Sequence, residues 1–379
     1  MTGPVPRPDD TSHARIWRRV WIDRLILVAI SVAVVGGALS LWWLTRNGRP
    51  PVDFQDYYDA AMRLLATGSP YKPETLNGPW RSGTAGLYVY APVLSLALEP
   101  LTALGLSAAT AVWLGFRLVL LGLTCGLMPV SRSIKLASLA AALLSAPFIH
   151  DLEFGNVSFL VAFLAVVGWR WLDRPIGSLA IAASLTLRPW IGVIAAWWVL
   201  RRQWRALVWM AGGLIVILVV SLPFVGLRPW LDWIQVLRNL GDEMGVHSNR
   251  DLGSTLLRLG VPQSIAFLFL LAGYVMAVAA ILLSLRRDRA ISYAVTLTAT
   301  LLLSPLLWDH YLTLLIVPAA LGAAYGRPWF LLVPLLAWLP DPFIPLVVIL
   351  MMWLLFALPD RGPRAFTFAV RSQHDAPRA

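Results

Sequence analysis

The chain has 379 residues, 58% of them hydrophobic and only 13% charged, and its mean hydropathy is +0.70. Soluble domains carry about 25% charged residues. The composition therefore excludes an ordinary soluble enzyme or binding module and indicates an all-α polytopic membrane protein solvated mainly by lipid. The formal charge of +11 does not indicate nucleic acid as a partner, because the arginines form short clusters between apolar segments with no basic stripe interleaved with aromatics.

Residues 1–23 read as a cytoplasmic N-terminal segment carrying Arg15, Arg18 and Arg19. The apolar run 24–44 follows. It is long, it starts well after a signal peptide would, and no small-x-small cleavage site precedes Arg46, so it is expected to be a retained span. Pro50-Pro51 stops that span, and Asp53 is placed to cap a new helix. "DFQDYYDAAMRLLATG" reads as a helix ending at Gly68, with an apolar stripe of Phe54, Tyr57, Tyr58, Ala61, Leu64 and Leu65. Asp53, Asp56 and Tyr57 share one face at its start. A helix of this kind lies on the membrane surface with a carboxylate across the outer mouth of the bundle. The plainer reading makes Asp53 a cap only, and Tyr57 and Tyr58 interfacial belt residues.

Further candidate spans are 88–104, 107–128, 136–149, 157–171, 176–199, 206–224, 263–285, 290–307, 311–326, 328–340 and 343–358. The lone cysteine, Cys125, falls inside an apolar run and has no partner for a disulfide or a metal site. Two loops, 45–87 and 225–262, are too long for turns. With the N-terminus inside, alternation puts both outside and puts the basic clusters at 201–205, 286–289 and 361–364 inside. Arg132, Lys135, Arg170 and Arg174 run against this count, which leaves room for a re-entrant segment within 88–199. The expected organisation is one transmembrane domain over 24–360 and a cytoplasmic, disordered tail over 361–379. There is no internal repeat and no soluble domain.

Arg188, in "LTLRPWIG", sits mid-span, where an unpaired charge is costly and marks a functional cavity by default. The alternatives are snorkelling from a helix broken at Pro189, or pairing with Glu99 or Glu153. His310 in "SPLLWDHY" lies at the outer end of a span beside Trp308 and Asp309, either a structural histidine or one that orients a base or contacts phosphate. In the second outer loop, His247, Asn249 and Arg250 can cover a substrate head group or simply be solvated. Asn156 can bond within a cavity or cap the next helix. No carboxylate cluster demands a metal, no Gly-rich phosphate loop is present, and no cofactor is expected.

"DF..YY.AA..LL..G.PY" and "LYVYAPVLSLALEPL" are followed by "FGNVSFLVAFLA" (154–165), "LTLRPWIGVIAAWWVLRRQWRA" (185–206) and "LLLSPLLWDHYLTLLIVPAAL" (301–321). In order and spacing these resemble the polyprenol-phosphate-mannose-dependent α-mannosyltransferases, glycosyltransferase family 87, over nearly the whole chain. The resemblance implies a GT-C fold of about eleven or twelve transmembrane helices, in a bacterial plasma membrane with the active site outside. It also implies transfer of a hexose, mannose by family analogy, from a polyprenyl-phosphate donor to a glycolipid or lipoglycan. By motif position Asp53 is the catalytic carboxylate, with Asp56 its rival and His310 beside them. Arg188, Asn156, Trp308 and Tyr58, with His247 and Asn249, form the candidate donor-binding set. "GNVS" stands where "GQ-N" is common, "RP" for "KP", and "WDHY" for "W-HH". Arg keeps the charge and phosphate affinity of Lys, whereas losing the second His removes a polar contact. A transporter or flippase for a lipid-linked or anionic substrate is the competing class, but it predicts repeated halves that the chain lacks.

Overall fold

The computed structural model describes residues 51–81 and 86–359, with Arg24, Leu27, Val28, Ser31 and Val35 of the first apolar run, all helical. The expected N-terminal segment, most of the first span, Pro50 and the C-terminal tail lie outside the described residues. All regular structure among the described residues is helical, apart from one bridge pairing Trp80 with Leu240. The outer-loop helix expected from the sequence is α1, Val52–Thr67, followed by the short α2, Pro73–Asn77. Next come α3 (Pro92–Thr102), α4 (Gly105–Leu127), α5 (Arg132–Leu143), α6 (Ala146–Phe154), α7 (Ser158–Arg170), α8 (Pro175–Leu187) and α9 (Val193–Leu200). The second half holds α10 (Trp204–Val225), α11 (Arg228–Arg238), α12 (Leu252–Arg258), α13 (Gln263–Ser284), α14 (Arg289–Leu302), α15 (Ile316–Ala324) and α16 (Ile344–Phe356).

The molecule is an all-α polytopic membrane protein, yet its spans are less regular than a hydropathy window suggests. α4, α10 and α13 are each long and apolar enough to cross a membrane, and α5 and α6 do so together with a 61° bend between them. Other windows are shortened or broken. The one at 176–199 stops at Arg188, because Pro189 has no N–H to give and restricts the residue before it; a 3-10 turn, Pro189–Gly192, then leads into α9. The window at 290–307 ends at Leu302, short of Pro305, and the one at 311–326 begins as a 3-10 turn, Asp309–Leu315. Pro334 lies inside a further 3-10 stretch, Pro328–Trp338.

α10 turns Val208, Ile215, Val216, Val219 and Val220 outward, as a hydrocarbon-facing surface requires. The buried core joins Phe54 and Tyr57 of the loop helix to Trp197, Tyr293 and Tyr311 of the bundle. The two long loops form one cap. Trp80 Nε1 donates to the Val236 carbonyl at 2.7 Å, Asn239 Nδ2 to the Leu76 carbonyl at 2.8 Å, and Trp233 Nε1 to the Val89 carbonyl at 3.0 Å. The described parts of the two loops, 51–81 with 86–87 and 225–262, therefore occupy the same end of the bundle. α8, α10 and α14 all finish at that end, and their N-termini lie together at the other.

Candidate active site

The site begins at Gly155. It ends α6 in the left-handed conformation, φ 74°, which glycine adopts without strain. A Cβ there would lie 2.7 Å from Phe54 Cβ and 2.8 Å from Pro51 Cβ, so the N-terminus of α1 packs directly on it. Two further ties fix this turn: Trp113 Nε1 donates to the Gly155 carbonyl at 2.7 Å, and Arg117 forms a fully buried ion pair with Asp151 of α6 while also donating to its carbonyl. The close approach sets α1 so that Asp53 faces the next residue, Asn156. Asp53 is not the helix cap that the sequence suggested: α1 starts at Val52 and has no side-chain cap.

Asn156 joins three elements. Its Nδ2 donates to Asp53 Oδ2 at 2.6 Å and reaches the hydroxyls of Tyr57 at 3.1 Å and Tyr90 at 3.3 Å. Its Oδ1 accepts from Arg188 Nη2 at 2.7 Å and from Ser158 Oγ at 2.9 Å. A guanidinium has no acceptor, so the amide oxygen must face Arg188 and the amide nitrogen must face Asp53. Arg188 also donates to Ser158 Oγ at 2.7 Å, and its Cζ stands 3.5 Å from the centroid of the Tyr311 ring, a cation–π contact. It is 2% exposed and pairs with neither Glu99 nor Glu153. The break after α8 puts the guanidinium here, because the helix ends on Arg188 itself.

Burial is the main reason that Asp53 is pushed up from its ordinary 3.8 to about 7; the Asn156 hydrogen bond opposes this and the nearby Asp56 adds to it. His310 Nε2 lies 3.9 Å from Asp53 Oδ2, too far for a hydrogen bond, and is buried without a partner. The rings of Phe154, Trp308 and Tyr311 surround this imidazole. Tyr57 donates to Tyr90 at 2.8 Å, and burial raises its pKa well above the ordinary value, so its hydroxyl keeps the proton.

Beside the cluster lies a polar cleft of about 500 Å³, lined by His150, Glu153, Arg250, Asp309, Trp338 and Asp341 among others. Arg250 grips Asp309 through Nε at 3.0 Å and Nη2 at 3.1 Å, and reaches Asp341 at 2.6 Å. The second outer loop is thereby clamped onto the "WDHY" segment.

Some expected site residues are elsewhere. Tyr58 points to α3, its hydroxyl donating to the Thr102 carbonyl at 3.1 Å, and the neighbouring Tyr57 takes the place at Asp53. Asn249 is buried and holds its own loop: Nδ2 bonds the carbonyls of Glu243 and Pro305, and Oδ1 accepts from the Asp251 and Leu307 N–H groups. His247 is exposed, and its contribution is a carbonyl accepting from Arg250. Asp56 faces Lys72 and the Gly86 N–H rather than Asn156, and burial raises it to about 6. Trp308 flanks His310 as expected. The sequence reading passed over Tyr90, Ser158, Tyr311 and the Arg117–Asp151 pair. Arg117 and Asp151 carry a signal, as a charge within the apolar span 107–128 and an acidic residue between apolar segments.

The fold and the cluster define a polytopic helical membrane protein with a half-buried carboxylate and a buried amide, arginine and histidine gathered at one end. Residues 88–305 match glycosyltransferase family 87, and the chain belongs to that family. Tyr90, Asn156, Ser158 and Arg188 fall within the matched stretch, whereas Asp53 and the 308–311 segment flank it. The chain is similar to the alpha-(1→3)-arabinofuranosyltransferases of two Mycobacterium tuberculosis strains, 28% identical over 239 residues, covering 59% of this chain and 52% of theirs. It thus spans about half the length of those curated relatives. No solved structure matches it.

Proposed function

We propose that the protein transfers a hexose, mannose by family analogy, from a polyprenyl-phosphate donor to a glycolipid or lipoglycan, on the outer face of a bacterial plasma membrane, with Asp53 as general base. The observation that carries this reading is the Asp53–Asn156 pair. A carboxylate at about 7 is a proton acceptor matched to neutral conditions, and Asn156 fixes which oxygen is held. In the reaction the acceptor hydroxyl gives its proton to Asp53 as its oxygen bonds the anomeric carbon. The bond from that carbon to the phosphate oxygen breaks, and its electron pair leaves with the lipid phosphate.

Arg188 faces the growing charge of that leaving group. Its Nη2 is spent on Asn156 and Ser158, which leaves Nη1 and the unpartnered Nε for phosphate. At 2% exposure, contact between Arg188 and the phosphate requires Trp308 and Tyr311 to move aside. The acceptor glycan enters through the cleft beside His150, where Glu153, Asp309 and Asp341 accept from sugar hydroxyls and Trp338 offers a stacking face.

A second sugar has support of its own, since the similar relatives are arabinofuranosyltransferases. One assay separates the two: purified protein in detergent with an acceptor-lipid extract and either radiolabelled polyprenyl-phosphate-mannose or polyprenyl-phosphate-arabinofuranose. Label is expected on a new lipid with mannose. Label with arabinofuranose alone rejects the mannosyl reading, and label with neither rejects both donors.

A further inference from the structure

The end of the bundle remote from Asp53 holds a cavity of about 400 Å³ that glycosyl transfer does not use. Arg174, Arg202, Arg205 and Arg289 line it against one carboxylate, Asp173. Arg289 donates to Asp173 and, at 2.7 Å, to Gln203 Oε1, and its Nε is buried without a partner. The other three arginines are exposed and make no side-chain hydrogen bond or ion pair with a described residue. Arg202 is held at φ 55°, the left-handed region, and is the one non-glycine so held among the described residues. Strain of this kind persists where the surroundings enforce it; here it turns the chain from α9 into α10 and brings Arg202 and Arg205 to the same wall.

Three helices start at this cavity, α8 at Pro175, α10 at Trp204 and α14 at Arg289. None has an acidic residue in its first turn or a side-chain cap. Asp288, just before α14, accepts from the Tyr325 hydroxyl at 3.4 Å instead. The positive dipole ends of α8 and α10 therefore add to the arginine charge, while the Asp288 carboxylate offsets that of α14. The rim is apolar and aromatic: Trp204 and Trp209 are 58% and 46% exposed, and beyond them α10 presents Val208, Ile215 and Val216 outward.

We propose that this cavity binds the phosphate headgroup of an anionic membrane lipid. The arginines and helix ends take the phosphate, the two tryptophans lie at the level of the lipid carbonyls, and the acyl chains run along α10. A free anion would have no use for the tryptophans or the apolar face. The C-terminal ends of α8 and α14 lead to Arg188 and to the segment carrying His310, so a lipid seated here braces the helices that hold the site. The proposal does not depend on which sugar is transferred.

The test follows thermal unfolding of the full chain in neutral detergent with added phosphatidylglycerol, phosphatidylcholine or inorganic phosphate. Native mass spectrometry of retained lipid is the second readout. Phosphatidylglycerol is expected to raise Tm in a saturable way, with little effect from the other two, and to survive as an adduct. An Arg174→Gln/Arg205→Gln double variant should lose both the shift and the adduct. An Arg174→Lys/Arg205→Lys variant, which keeps the charge, should retain them and guards against a folding defect in the first. Equal shifts with both lipids, an undiminished shift in the Gln variant, or a full shift with inorganic phosphate alone would each overturn the lipid assignment.

Discussion

Asp53 receives one strong hydrogen bond to its charged form, which by itself would lower its pKa, yet burial outweighs that bond. Transfer should therefore rise with pH and reach half its maximum near about 7. Stability should move the opposite way. The folded-state value lies above the ordinary 3.8, so the folded protein binds the extra proton between them. The stabilisation is complete below the lower value and is lost as pH rises through the upper one. Asp53→Asn should remove that part of the pH dependence and lower transfer by ~10²-fold or more. Asp56 titrates in the same direction, so the comparison that counts is the variant against the parent. An unchanged Tm-versus-pH slope would refute the assignment. Arg188→Gln should raise the donor KM and also lower kcat, because leaving-group charge grows in the transition state, while Arg188→Lys keeps part of both. An unchanged donor KM with a displaced pH profile would instead reduce Arg188 to positioning Asp53 through Asn156.

At the scale of elements, the site is a contact between one loop helix and one helix end. α1 is held by its apolar stripe and by hydrogen bonds of Asp53, Tyr57 and Tyr58, and its close approach to the bundle turns on the missing side chain at Gly155. Gly155→Ala adds a methyl group where Phe54 and Pro51 already sit, at a φ that alanine resists. α1 must back away by about an ångström, and displacements of that size cost ~10²-fold in rate. The measurement is kcat alongside thermal unfolding. A large loss of kcat with a modest loss of Tm is the expected pair, and parent-like kcat would show that α1 does not need this approach.

For the whole molecule, the orientation in the membrane is tested by labelling. Both long loops share one end and the arginine cavity the other, so labelling at a few exposed positions decides it. In a Cys125→Ala background, Glu74→Cys and Ser248→Cys should react with an impermeant maleimide on intact cells, and Arg286→Cys should not. Reaction at Arg286→Cys alone would turn the molecule over and put Asp53 in the cytoplasm.

Composition and hydropathy are sums over residues, so the membrane class, the helical character and the two long loops were legible without coordinates. The amphipathic helix after Pro51 was legible too, because its stripe repeats at the helical period. So was the intramembrane Arg188, since the cost of a buried charge is a property of the residue and its surroundings in sequence. Side-chain direction was not. Tyr57 and Tyr58 are adjacent in sequence and equivalent in any composition, and which of them meets Asp53 depends on the rotation of α1 against Gly155. The partner of Arg188 was likewise beyond reach: Coulomb attraction alone favours a glutamate, whereas the fold supplies Asn156 and Ser158 and sends Asp151 to Arg117. The arginine clusters at 201–205 and 286–289 looked like orientation signals one at a time. Only the packing of α8, α10 and α14 gathers Arg174, Arg202, Arg205 and Arg289 around one cavity, because a shared space between helices far apart in the chain has no counterpart along the sequence.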